Sequence, residues 1–330
     1  MTLGSLFDGI GGWLLAARHA GVTPVWSSEI EPFPCAVTAH HFPDVTQMGD
    51  IMQIDGAAIP PVDIVCAGSP CQGLSLAGKR RGLDDERSGL FRRAVDIVRA
   101  MRRATGGRYP RFFVWENVPG AFSSNKGMDF RAVLEEIGQT EISIPNGGKW
   151  ANAGMAELPQ CEIAWRVLDA QYWGVPQRRR RIFLIADFAA DGRCAGEILF
   201  EREGVSGHLE KSEGAREGTD RGTADCTRIA IYDMTHADEV MRPVKDGIVP
   251  TLNARMGTGG NQVPVIHVAG KVRRLTPTEC ERLQGLPDDY TAGGSDTARY
   301  KALGNGMAQP CADYVIRRIV EVTSNAKSKS

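Results

Sequence analysis

Short apolar runs, each ended by a glycine, a proline or an acid, recur along the first half of the chain with amphipathic stretches between them. Residues 2–7 read as a first strand, 13–19 as a helix, 24–28 as a second strand and 32–41 as a second helix. A third strand end is expected at Gly49-Asp50-Ile51, and residues 63–67 read as a buried strand bounded by turn residues. In residues 89–105, Leu90, Ala94, Ile97, Val98 and Met101 recur at helical spacing, with arginines elsewhere. Residues 111–115, 163–170 and 181–187 read as further strands, and 132–137 closes a short helix. Residues 144–159 are rich in glycine and proline and read as irregular. Strands alternating with helices predict an open α/β sheet.

The pattern changes near residue 188. Residues 189–225 are rich in Gly, Glu, Ser and Arg and poor in large apolar side chains, so they read as loop or partly disordered. Residues 229–265 carry short strands and turns and look like a separate small module. Helical patterning resumes at 276–284, where Thr276-x-x-Glu279 has the form of a capping box. Gly304-Asn305-Gly306-Met307 then precedes an amphipathic helix through about residue 322. No internal repeat is found.

Composition narrows the function classes. The 330-residue chain has a formal charge of −1 and eight cysteines. No apolar run approaches the roughly 18 residues of a membrane span. The first residues lack the basic region of a signal peptide, and the cysteines show no repeated CxxC and no zinc spacing. Reduced thiols, a cytoplasmic setting and no metal are therefore expected. Charge is local: Lys79-Arg80-Arg81, Arg92-Arg93, Arg99 with Arg102-Arg103, Arg178 to Arg181, and Arg273-Arg274 form basic knots. Each could be a solvated face. Together they point to a polyanion partner.

Candidate chemistry gathers at the strand ends, where open α/β sheets bind ligands. Asp8-Gly9-Ile10-Gly11-Gly12 forms a glycine turn, Glu29 ends the second strand, and Asp50 stands at the third. Glu29 suits ribose hydroxyls or could cap the next helix; Asp50 suits an adenine amine. The set reads as a nucleoside site, and without a Gly-x-x-x-x-Gly-Lys cradle the nucleoside carries no polyphosphate. The fourth strand delivers Gly68-Ser69-Pro70-Cys71-Gln72-Gly73-Leu74-Ser75. Cys71 is there either a nucleophile, active as thiolate, or a buried filler behind a turn. Glu116-Asn117-Val118-Pro119 ends the fifth strand, where the carboxylate either caps a helix or faces the same cleft as Cys71. In the arginine run, strand alternation puts Arg179 and Arg181 on one face and Arg178 and Arg180 on the other. One pair should have partners, unless the run is a protective edge strand.

In this order the residues resemble the DNA (cytosine-5) methyltransferases of bacterial or phage type. Phe7-Asp8-Gly9-Ile10-Gly11-Gly12, Glu29, Asp50-Ile51, Gly68-Ser69-Pro70-Cys71-Gln72, Glu116-Asn117-Val118 and Gln177-x-Arg179-x-Arg181 follow the family's motif order. Arg274-Leu275-Thr276-x-x-Glu279, Arg282-Leu283-Gln284-Gly285-Leu286-Pro287 and Gly304-Asn305 continue it. Gly306 departs from the serine usual in the family.

The resemblance implies an α/β, Rossmann-like S-adenosylmethionine-dependent methyltransferase domain with a smaller, mostly irregular and β target recognition domain. The first would span residues 1–187, completed by 296–330, and the second 188–295. It implies methylation of carbon 5 of a cytosine flipped out of double-stranded DNA. Cys71 would attack carbon 6, Glu116 would contact N3 and the exocyclic amine, Arg181 the O2 edge, and Arg179 would support the addition site. S-adenosylmethionine, leaving as S-adenosylhomocysteine, would meet Phe7, Gly9, Gly11, Gly12, Glu29, Ile30, Asp50, Ile51, Pro70, Leu90 and Asn305. DNA contacts would come from Ser75, Lys79, Arg80, Arg81, Gln177, Thr251 and Arg255, with residues 76–88 as a candidate lid. A monomer in a bacterial or phage-infected cytoplasm is expected, with a cognate restriction endonuclease as a candidate partner. The alternatives are an RNA (tRNA) cytosine-5 methyltransferase and a catalytically silent DNA-binding relative. An amino-methylating enzyme would carry Asp/Asn-Pro-Pro-aromatic where this chain has Ser69-Pro70-Cys71-Gln72.

Overall fold

The computed structural model describes residues 1–69, 88–145, 147–200, 230–234, 242–258, 262–268 and 271–327. Pro70, Cys71, Ser75, Lys79, Arg80 and Arg81 lie outside the described residues. The chain divides into two compact units, one of Met1–Asp169, Arg180–Phe200 and Gln309–Ser330, the other of Ala170–Arg179 and Glu201–Ala308. Residues 170–179 and 296–308 thus group with the second unit, whereas the expected boundaries lie at 187 and 295.

The first unit opens β1 (Thr2–Leu6), α1 (Gly12–His19), β2 (Thr23–Ser28), α2 (Pro32–His41), β3 (Thr46–Gln47), β4 (Ile64–Ala67), α3 (Ser88–Ala104), β5 (Phe112–Asn117) and α4 (Met128–Gly138). It continues β6 (Ala153–Glu157), β7 (Glu162–Asp169), β8 (Arg180–Asp187) and α5 (Ala195–Leu199). The eight strands form one sheet in the order β3-β2-β1-β4-β5-β8-β7-β6. Strands β1 to β5 pair in parallel, while β8, β7 and β6 extend the sheet antiparallel. A parallel sheet covered on both faces needs continuous apolar strands, and all four residues of β4 are buried.

Two apolar layers cover the sheet. On one side the predicted helical stripe of α3, with Ala94, Ile97, Val98 and Met101, joins Phe130 and Leu134 of α4 against Phe113 and Trp115. On the other, Trp13 of α1 meets Phe183 of β8 edge to face, 6.1 Å between centroids. The last helix of the chain (Gln309–Lys327) packs on α1 and α5. Each large buried side chain contributes about 1.5–3 kcal/mol.

Three elements of the first unit depart from the sequence reading. β6 lies within residues expected to be irregular; as an edge strand its burial merely alternates between exposed and half-buried, so it carries little apolar signal. α5 lies in the expected loop 189–225, and its Ala195, Ile198 and Leu199 are buried. The third strand is at Thr46–Gln47, and Asp50 begins a 3-10 turn, Ile51–Gln53.

The second unit holds a small antiparallel sheet, β10-β9-β11-β12, of β9 (Ala230–Asp233), β10 (Arg242–Pro243), β11 (Val265–Val268) and β12 (Lys271–Arg274). Next come α6 (Pro277–Gln284) and α7 (Asp296–Asn305); the helix noted above, closing the first unit, is α8. The capping box at Thr276 is present in full, with Glu279 bonded back to the Thr276 backbone. Ser295 caps α7, a helix for which the sequence reading named no element.

Candidate active site

The turn after β1 takes its shape from alternating left-handed residues. Phe7, Gly9 and Gly11 have φ of 56°, 59° and 87°. Glycine accepts this at no steric cost, but for Phe7 it is strain, of the kind that gathers at functional sites. No described atom lies within 4 Å of where a Cβ on Gly9 would sit. The Phe7 side chain is half-buried against the core. Gly12 begins α1 and is buried.

Glu29 ties this turn to the second strand end. Its Oε2 accepts the Gly9 N–H at 2.9 Å, and its Oε1 accepts the N–H groups of Ile30 and Glu31 at 2.8 and 2.9 Å. Glu29 steadies the approach to α2 without capping it, since among the described residues no side-chain cap bond reaches that helix's first turn, and keeps lone-pair capacity on Oε2. Ile30 is 69% exposed, so it is not core. Asp50 is exposed and accepts the Met52 N–H at 2.9 Å, while Ile51 is buried in the core. Leu90 is half-buried against the same core.

Below the turn sits a carboxyl the sequence reading passed over. Asp8 is buried, accepts a 2.6 Å bond from the Ser5 hydroxyl, and has no partner for Oδ2 among the described residues. Burial pushes it up to about 7, opposed by the Ser5 bond and aided by Glu29. Burial likewise holds the Cys66 thiol well above its ordinary value, and Cys161, Cys194 and Cys280 are each pushed up to about 12. These thiols are inert packing at neutral pH.

At the ends of β5 and β8, Arg181 Nε meets Glu116 Oε1 at 3.0 Å, with 15% and 13% of the side chains exposed. The antiparallel register pairs Glu116 with Phe183, so Arg181, two residues earlier, shares its face. A Cβ on Gly68 would stand 3.7 Å from Glu116 Oε2 and 3.9 Å from the Phe7 carbonyl oxygen. The acid–arginine pair, the glycine turn and the lead into the Pro70-Cys71 segment therefore converge. Ser69 is pinned there: Trp115 Nε1 donates to its hydroxyl at 2.9 Å, and Asn117 Nδ2 to its carbonyl at 3.0 Å. Asn117 entered the sequence reading only as a motif letter. Its buried position at a strand end was the missing signal.

Two expected site residues are engaged differently. Arg179 precedes β8 rather than sharing a strand face with Arg181, and it is 2% exposed. Within the second unit its guanidinium donates to the carbonyls of Leu252 (2.8 Å), Gly304 (3.3 Å) and Gly306. Gln177, expected at DNA, is 0% exposed. Its amide donates to Leu283 O at 2.7 Å and accepts the Leu252 N–H at 3.1 Å, leaving no surface for a nucleic acid. Gly304 lets these segments close, because a Cβ there would fall 2.1 Å from the Asn253 backbone. Thr251 donates to Arg178 O at 2.5 Å, and Arg255 and Asn305 are exposed.

Known proteins are similar to this chain in sequence and in fold. A DNA N-6-adenine-methyltransferase of Escherichia phage P1 is 29% identical over all of this chain, which spans 62% of that relative. The Type II methyltransferase M.HhaI of Haemophilus parahaemolyticus is 28% identical over 95% of this chain and 92% of its own. The crystal structure of Dnmt2 methyltransferase from S. pombe has the same fold, with a TM-score of 0.62 at 16% identity over 99% of each chain. The family described as C-5 cytosine-specific DNA methylase matches residues 1–191 and 203–321, and the chain belongs to it, as a DNA cytosine-5 methyltransferase that draws its methyl group from S-adenosylmethionine.

Proposed function

We propose that the protein methylates carbon 5 of a cytosine flipped out of a specific double-stranded DNA sequence, through a covalent bond between Cys71 and carbon 6. What supports this reading is the Glu116–Arg181 pair beside Gly68, the residue that leads into Pro70-Cys71. The Cys71 thiolate adds to carbon 6, and the displaced electron density runs toward N3 and O2. Glu116 meets it at N3 and the exocyclic amine, and Arg181 at O2, in the manner of preorganised charge stabilisation. Carbon 5 is thereby made nucleophilic. Once carbon 5 carries the methyl group, a base removes the carbon 5 proton and Cys71 leaves carbon 6, restoring the ring's double bond. Asn117 is a positioning residue that holds Ser69. Arg179 acts through the backbone it clamps.

S-adenosylmethionine supplies an electrophilic methyl group. The first strand ends fit it: the open left-handed turn at Gly9, the remaining acceptor capacity of Glu29, the exposed apolar face of Ile30 and the exposed Asp50. Phe7, Gly11, Gly12, Ile51, Pro70, Leu90 and Asn305 complete the proposed contact set. Thr251 and Arg255 of the second unit are the first candidates for reading the DNA, with Ser75 and the Lys79–Arg81 cations on phosphates. The Type II name of M.HhaI supports a role in restriction-modification beside a cognate endonuclease. We place the protein as a monomer in a bacterial or phage-infected cytoplasm; among the described residues no helix is long and apolar enough to cross a membrane.

The test uses the addition step. With S-adenosylmethionine and duplex DNA containing 5-fluorocytosine, the protein should form a covalent adduct that Cys71→Ser does not form. An adduct on RNA alone would select the tRNA reading. The name of the phage P1 relative motivates a second assay: nucleoside mass spectrometry of methylated DNA should find 5-methylcytosine, and N6-methyladenine in its place would overturn the cytosine reading.

A further inference from the structure

The basic knot of Arg99, Arg102 and Arg103, which the methylation chemistry leaves unused, lines a cavity of about 450 Å3 in the first unit. Its floor is apolar, with Val95, Val98, Phe113 and Ile137, and Phe188 forms one wall. Arg193, Gln139 and Gln160 complete the rim. Phe113 is the second residue of β5 and Glu116 the fifth, a separation of about 10 Å along the strand. Phe188 follows the end of antiparallel β8, whose start carries Arg181. The cavity therefore lies at the opposite end of these strands from the acid–arginine pair.

Arg99 is neutralised by Glu136 and Asp96, so the cavity's positive charge rests on Arg102, Arg103 and Arg193. Glu136 is occupied by Arg99 at 2.8 Å and Arg92 at 3.8 Å, and Asp187 by a two-pronged pair with Arg111 at 3.1 and 3.0 Å. Arg102 donates to the carbonyls of Pro110 and Phe188, and Arg193 to those of Ala189, Leu158 and Pro159. A guanidinium has more N–H donors than these bonds use, so both are held in place with donors to spare. Arg103 is exposed and has no acidic partner among the described residues. Burial lowers the Arg102 guanidinium from its ordinary value, more than Cys161 and Asp187 nearby raise it. The Arg102 guanidinium also stacks on the Phe188 ring at 4.7 Å, which fixes the ring as a wall.

Fixed cations, an aromatic wall over an apolar floor and two amide side chains match one class of ligand. We propose that this cavity is a second binding site, for a mononucleotide. The phosphate would lie against Arg102, Arg103 and Arg193, since arginine matches phosphate geometry with paired N–H donors. The base would lie on Phe188, the half-buried aromatic of the lining, with its edge toward Gln139 and Gln160. The volume falls within the roughly 300–1,000 Å3 of small-molecule sites.

The experiment is isothermal titration calorimetry of the full chain with guanosine 5′-monophosphate at about 0.15 M salt, in saturating S-adenosylhomocysteine so that the cofactor site is filled. A guanine probe avoids both the adenosine and the cytosine pockets. Binding should weaken about tenfold in Arg103→Glu, whose side chain anchors nothing, and in Ala190→Trp, which fills the rim without removing charge. Circular dichroism should match the parent in both. Failure of the probe to bind at millimolar concentration overturns the site. So does unchanged affinity in both variants, or inorganic phosphate binding as tightly as the nucleotide, which would leave the aromatic wall without a role.

Discussion

Arg179 and Arg181 stand two residues apart in one arginine run, yet they do opposite work. Arg181 sits on the first unit's sheet, partly exposed, paired with Glu116 at a strand end where three loops meet. Arg179 is buried in the second unit, its donors spread over the carbonyls of Leu252, Gly304 and Gly306. Gln177 belongs with it, bonded to Leu252 and Leu283. A carboxylate partner leaves an arginine able to exchange that contact for a substrate oxygen. Backbone carbonyl partners make it a rivet. A motif spelled with two arginines therefore holds one paired with a carboxylate at the candidate site and one bonded to backbone carbonyls.

The largest effect should come from removing the clamp. Arg179→Met strands two buried carbonyls and a part-buried third, and urea unfolding should show a loss of about 3–5 kcal/mol. Arg181→Met should leave the urea unfolding free energy within about 1 kcal/mol of the parent, because its site is partly open to water. Equal destabilisation by the two would erase the distinction.

Glu116→Gln sharpens the other half of the comparison. It keeps the shape and removes the charge facing Arg181, so methyl transfer should fall about 10²–10³-fold, roughly 3–4 kcal/mol in barrier, at unchanged melting temperature. A somewhat smaller loss, about 10²-fold in the rate of adduct formation with 5-fluorocytosine DNA, is expected for Asn117→Ala. Binding of S-adenosylhomocysteine by that variant should be unaffected, since Asn117 holds Ser69 rather than the glycine turn.

Asp8 offers a gentler probe beneath that turn. Its carboxyl rises from 3.8 to about 7 in the fold, so the native protein keeps a proton that the unfolded chain releases. The stabilisation is complete below pH 3.8 and is lost as pH rises through about 7, by up to about 1.4 kcal/mol per pH unit. Asp8→Asn should remove this slope, so its urea stability relative to the parent should climb across that window. A parallel pair of pH curves would refute the account. Smallest of all, Thr276→Ala opens the capping box of α6 and should lower stability by about 1 kcal/mol in a thermal melt.

Much of the site was readable because its signals are local. The left-handed turn at Gly9 and Gly11, the acid after β2, and the Glu116-Asn117 pair at the end of β5 all follow from apolar runs broken at fixed points. The stripe of α3 appeared for the same reason. β6 escaped notice because an edge strand with one neighbour need not bury a face, and α5 because its five residues are too few to show a helical period. Asp8 was a letter inside the glycine motif; only the Ser5 bond and the burial around it mark it as a titrating group near neutrality.

The sequence by itself determined the order of the elements from β1 to β5, the chemistry offered at those strand ends and the family, since periodicity, turn residues and motif spacing are properties of neighbours along the chain. Only the tertiary structure decided which arginine is spent on the fold and which faces the site. The carbonyls that claim Arg179 come from residues 73 and 127 positions further on, and burial by so distant a segment leaves no trace in the residues around it.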